Sequence, residues 1–211
     1  MPVRSDAMKA LLPLIPVALL LPACDGLDNR FAPAKEAAAD YRPHEAGTVD
    51  HALCLLGFVN VPVLGVNPGH HLVTAQINGI SGDFVLDTGA NVTVVNAPQA
   101  ERFGLSSRGG SLFGTGAARF AGNAANARTA SVDSFTMGDV TIRQRRVLVA
   151  DLGPLLDSLG QASGREIAGL IGQDVLNEHR AIIDMSRPML HLMAEDRDPV
   201  PVPAERCTQP E

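Results

Sequence analysis

The run Phe84-Val85-Leu86-Asp87-Thr88-Gly89-Ala90-Asn91-Val92-Thr93-Val94-Val95 decides how this 211-residue chain is read. A wholly apolar stretch ends on an acid, a small-residue turn follows, and a second, β-branched stretch begins. The pattern predicts strand, turn and strand, with Asp87 at the end of the first strand. A carboxylate placed at the end of a buried strand is costly unless it is hydrogen-bonded or functional. Gly89 permits a tight turn and a close backbone approach to whatever faces the acid.

Working outward, HLVTAQI (71–77) alternates as a strand and leads into Asn78-Gly79, a strong hairpin signal, before DFVLD (83–87). VTVVN (92–96) is a short strand, and Ala97 to Phe103 suits one or two helical turns stopped by Gly104. Residues 111–122 and 126–137 read as hairpin arms around Gly122-Asn123, and Gly138-Asp139 turns into a strand over 140–152. Leu155–Leu159 reads as a brief helix, IAGLIG (167–172) as an apolar strand and QDVLNEHR (173–180) as a short helix, with Asp174 capping its turns at 175–180. AIID (181–184) and MLHLM (189–193) read as the last strands, with Asp184 anchoring the turn between them. The expected fold class is all-β with one or two short helices, a closed or folded-over sheet and not a doubly wound one.

Composition narrows the function. Net charge is -6 with pI ≈ 5.5 and no basic run, which argues against a nucleic-acid partner. Gly114-Thr115-Gly116 lacks the third glycine and the strand-to-helix context of a nucleotide loop. His70, His71, His179 and His191 form no metal-binding spacing, and three cysteines cannot make a four-cysteine zinc site. No cofactor and no metal are expected. The chain contains no GxSxG, so a serine hydrolase is unsupported.

The first residues form an address. Arg4 and Lys9 precede the uncharged run Ala10–Ala23, which is shorter than the ~20 residues a membrane span needs and contains Pro13 and Pro16. Residues 1–23 therefore read as a signal peptide. Leu21-Pro22-Ala23-Cys24 resembles the lipobox of bacterial lipoproteins, which implies lipidation at Cys24, a periplasmic location and attachment to a membrane through the lipid anchor. The alternative is a secreted protein with an incidental cysteine. Asp25 resembles an inner-membrane retention signal. Residues 24–50, rich in Ala, Pro and charge, read as a flexible tether with a reach of roughly 30 Å. The folded domain is expected over 51–195, followed by a loose Pro-rich tail, 196–211. Cys54 and Cys207 are left over near its two ends. In an oxidising periplasm they favour a disulfide; otherwise Cys54 is a small buried hydrophobe and Cys207 is free on the tail.

Several blocks together resemble the retropepsin-like aspartic proteases, from about His70 to Leu192. They are the apolar-Asp-Thr-Gly-Ala-β-branched block at 84–95, the glycine-containing hairpin at 111–130, Gly169-Leu170-Ile171-Gly172 with the helix after it, and Ile182-Ile183-Asp184. The resemblance implies a closed β-barrel or folded sheet with a flap hairpin, acting on polypeptides. It also implies a homodimer, because the chemistry needs two carboxyls and the chain has one Asp-Thr-Gly; Asp133-Ser134 and Asp157-Ser158 lack the glycine. On the same basis Asp87 is the catalytic acid/base, Thr88 holds the loops across the dimer, and Gly89 offers its N–H to the carboxylate. Ala90 removes a hydroxyl that pepsin-like relatives often have, which implies a pH optimum nearer neutral. Phe113, Gly114, Thr115 and Gly116 fall in the flap. The competing expectation is a non-catalytic peptide-binding or assembly lipoprotein on the same fold.

Overall fold

A computed structural model describes residues 41–66, 69–105, 116–120, 123–194 and 198–208. Helix α1 (Val49–Leu55) comes first, with the Thr48 hydroxyl accepting from the His51 N–H at its start. Strands β1 (Phe58–Val66), β2 (His70–Ile77), β3 (Ile80–Leu86) and β4 (Val94–Asn96) follow. Next are β5 (Gly116–Phe120), β6 (Asn123–Ser131), β7 (Phe135–Met137), β8 (Val140–Thr141) and β9 (Arg146–Ala150). Helix α2 (Gly153–Ser163), strand β10 (Ile167–Ile171), helix α3 (Gln173–Glu178) and strands β11 (Ile182–Asp184) and β12 (Met189–Met193) complete the domain.

The fold is all-β, as its sequence predicts. The strands pair in the order β11-β12-β1-β2-β3-β10-β4-β9-β6-β5, with the β7–β8 hairpin attached to β2. This path has two ends, β11 and β5, so the sheet is folded and not closed into a barrel. Among the described residues there are three α-helices, where one or two were expected.

At the centre the sheet has apolar cores on both sides. Phe84, Val95, Ala168 and Ile171 enter one core, while Val85, Val94, Ile167 and Leu170 enter the other. Strands buried on both faces lose the polar alternation, which is why 84–86 and 167–171 read as continuous apolar runs. Strand β10 lies parallel to β3 and antiparallel to β4. It therefore passes between the two strands that flank the Asp87 turn. Gly169 makes the approach possible, because a Cβ there would lie 2.0 Å from the Val94 carbonyl oxygen.

The Asn78-Gly79 turn joins β2 to β3 with φ of 52° and 78°, both left-handed, as a two-residue hairpin turn of the primed type requires. Asn78 does more than turn. Its Nδ2 donates to the Phe103 carbonyl, and its Oδ1 accepts from the Asp133 and Ser134 N–H groups.

Three expectations need correction. The tether does not extend to residue 50: Pro43 is buried, the Arg42 N–H donates to Asp50, and Asp50 is fully buried against Arg187. The tail is also tied down, since Val202 donates to the Leu55 carbonyl and Cys207 is buried. Residues 140–152 are not one strand: β8 ends at Thr141, and after the Ile142 N–H donates to the Phe135 carbonyl the chain is irregular through Arg145 before β9 begins. Strand β1, absent from the sequence prediction, pairs through 58–62 with β12 and through 63–66 with β2. Pro62, with no N–H to donate, sits where it changes partner. Cys54 and Cys207 are joined by a disulfide that closes 153 residues of chain.

Candidate active site

Asp87 leaves the end of β3, and its N–H donates to the Ile171 carbonyl at 3.0 Å, extending the β3–β10 ladder by one residue. The chain then reverses: the Ala90 N–H reaches back to the Asp87 carbonyl at 3.2 Å. Inside this turn the Gly89 N–H donates to Asp87 Oδ1 at 2.8 Å. A Cβ on Gly89 would come within 3.2 Å of that oxygen, so glycine keeps the amide close without crowding the carboxylate.

The turn is held from behind by the β10–α3 junction. The Gln173 N–H donates to the Ala90 carbonyl at 2.8 Å, and the Gln173 side chain donates to the Thr88 carbonyl. Gly172 lies so close that an added Cβ would meet the Val92 carbonyl carbon at 2.5 Å and the Ala90 oxygen at 2.9 Å. The result is a loop braced from behind, with a carboxylate where it leaves β3. Asp87 is half-buried, while Thr88, Gly89 and Val92 are exposed. A concavity beside the loop is lined by Thr88, Gln173, Leu176, Asn177, Arg180 and Ile183.

Sequence reasoning missed one residue of this region. Asp174 does not cap α3, whose N-cap is Gly172. Its carboxylate accepts the Val175 N–H within the first turn and also binds Thr93 across 81 residues of sequence. Of the expected flap residues, Gly116 begins β5, which pairs with β6. Phe113, Gly114 and Thr115 lie outside the described residues, as do the signal peptide 1–23 and Cys24.

A second polar cluster lies away from this loop. Arg187 donates to both Asp50 oxygens, at 3.0 and 2.9 Å, and to Asp184 at 2.9 Å. Burial pushes the Asp50 carboxyl up, but hydrogen bonds from Arg187 and the Arg42 amide, with the Arg187 charge, hold it below the ordinary range. Hydrogen bonds from Ser186 keep Asp184 low, reinforced by Arg187 against the effect of burial. Buried His191 shares the site, with neither ring nitrogen hydrogen-bonded. Burial lowers its pKa, Asp50 and Asp184 act to raise it, and Arg187 acts to lower it. His179, by contrast, is a satisfied core residue: Nδ1 meets the Met193 carbonyl and Nε2 accepts from the Arg143 N–H. Among the described residues, no group of three or more His, Cys, Asp or Glu is placed to hold a metal ion.

An acid presented on a braced turn between two β-strands, with β10 threaded behind it, is the class of site this fold defines. A family model described as aspartyl protease matches residues 73–175, from within β2 to α3. No curated protein matches it. Solved structures that align with the chain include a retropepsin-like aspartic protease from Rickettsia conorii, at 19% identity and TM-score 0.45, covering 64% of this chain and 91% of that one. The EIAV protease bound to an inhibitor aligns at 21% identity and TM-score 0.38, covering 53% of this chain and 88% of that one. The retroviral protease-like domain of Ddi1 from Leishmania major aligns at 19% identity and TM-score 0.39, covering 63% and 94% respectively.

Proposed function

We propose that the protein is an aspartic endopeptidase whose active site forms when two copies bring their Asp87 loops together. The observation that carries this reading is the Asp87 turn itself. Its backbone is fixed by β10 and α3, its Oδ1 is held by the Gly89 N–H, and its tip is open to solvent.

One carboxylate is a weak base for hydrolysing an amide. Two about 3 Å apart cannot both ionise, so they share a proton. The charged member takes a proton from water as the water oxygen attacks the scissile carbonyl carbon, and the neutral member donates its proton to the carbonyl oxygen. The tetrahedral product then collapses, breaking the C–N bond as the leaving nitrogen is protonated. The exposed Thr88 and Gly89 are where a twin loop would meet this one, and the adjoining concavity offers it space. The β5–β6 hairpin would cover an extended polypeptide bound as a strand. The N-terminal segment would anchor the enzyme to a bacterial membrane, facing the periplasm, through a lipid on Cys24.

A diverse peptide library tests this with full-length wild type and Asp87→Asn, each with and without pepstatin. Pepstatin-sensitive cleavage by wild type and none by Asp87→Asn is expected. Equal cleavage by both would remove Asp87 from the mechanism; binding without cleavage by wild type would favour the peptide-binding lipoprotein instead. Sedimentation of the same samples should show a dimer.

A further inference from the structure

Asp174, in the first turn of α3, accepts four hydrogen bonds. Oδ2 takes the Thr93 N–H and the Gln144 side-chain amide, both at 2.9 Å. Oδ1 takes the Thr93 hydroxyl at 2.7 Å and the Val175 N–H at 2.8 Å. Thr93 is fully buried, and its hydroxyl oxygen accepts the Gly172 N–H at 3.1 Å, so its single proton is committed to Asp174. The Thr93 and Val175 N–H groups, one on each oxygen, can only donate, so both oxygens of Asp174 must accept.

This node joins three segments remote in sequence. Thr93 closes the Asp87 loop on its C-terminal side. Gly172 packs against Val92 inside that loop. Gln144 comes from the irregular segment between β8 and β9.

We propose that Asp174 is a positioning residue for Asp87. It has no hydrogen bond to Asp87, and acts by fixing Thr93 and Gly172, which with the Gln173 contacts keep loop 88–92 in register. The inference rests on the aspartic protease reading. Asparagine is the sharp substitution because it preserves shape but turns an NH2 toward donors. The Gln144 amide can rotate to accept from it, whereas the Thr93 and Val175 N–H groups cannot.

The test uses the full chain as wild type, Asp174→Asn, Thr93→Val and Thr93→Ser. Amide hydrogen exchange over residues 88–96 is measured without substrate. The kcat and KM are measured on a peptide that wild type cleaves, with active sites titrated by pepstatin. In Asp174→Asn, exchange over 88–96 should rise about ten-fold while β2 stays protected. The kcat per titrated site should fall about 100-fold with KM little changed, as expected when a reacting group is displaced by a fraction of an ångström to an ångström. A merely structural role would lower the titrated fraction and leave kcat per site intact. Wild-type exchange and kcat in Asp174→Asn would overturn the proposal. Should that variant not fold, Thr93→Val must show both defects and Thr93→Ser neither; matching behaviour of the two would overturn it equally. Absence of Asp87-dependent cleavage in wild type would instead sink the protease reading, with exchange still deciding whether Asp174 holds the loop.

Discussion

Asp87 and Gly89 were readable from sequence because their relation is local: an acid and the amide two residues on, within one turn. Asp174 and Thr93 were not, because nothing in a helix-start acid announces a partner 81 residues away. Ala90 belongs with the first group, since the effect turns on a single missing hydroxyl. Placing one there with Ala90→Ser would offer the carboxylate a further hydrogen-bond donor and favour its charged form. The acid limb of the pH–rate profile should then move to lower pH; an unmoved or raised limb would show that residue 90 does not address the carboxylate.

The β2–β3 hairpin was legible because Asn78-Gly79 states its turn type, and β10 because five buried apolar residues leave no polar face. Helix α1 was hidden. It has seven residues, two of them buried, and one of those is Asp50. Its support comes from Arg187, 137 residues distant, so its own sequence resembles a linker. The β10–α3 junction makes a stability prediction of its own. Gly172→Ala would drive a methyl into the Val92 carbonyl, where backbone and not a flexible side chain must yield. Overpacking of this kind costs typically 1–3 kcal/mol, and here the strain falls on the loop that carries Asp87. Gly89→Ala, with a nearest contact of 3.2 Å, should cost less. Urea midpoints of the two variants compare them directly, and a milder effect at 172 than at 89 would contradict the packing argument.

For the molecule as a whole, the all-β class followed from composition and turn spacing, but whether the sheet closes depends on which distant edges pair, and local pattern does not encode that. The Asp50–Arg187–Asp184–His191 cluster joins the first packed segment to the β11–β12 turn and so sets how the whole responds to acid. His191 has a depressed folded pKa, so its contribution is complete above about 6.5 and is lost as pH falls. Asp50 and Asp184 are also depressed, so theirs is present above about 3.8 and is lost as they protonate. Stability should therefore decline in two stages on acidification, the upper one shared with His71, whose pKa burial and His70 also lower, and His191→Phe should shrink that stage; a denaturation midpoint flat from pH 7 to 5 in the native chain would contradict the assignment. The disulfide between Cys54 and Cys207 closes 153 residues and is worth about 5 kcal/mol in the chain-entropy model, an upper figure that a Cys54→Ser/Cys207→Ser double variant would measure. The same bond bears on self-digestion. If an enzyme of this kind nicks its own copies anywhere between those cysteines, the pieces stay fastened together, so damaged molecules migrate at full mass on a gel until a thiol is added.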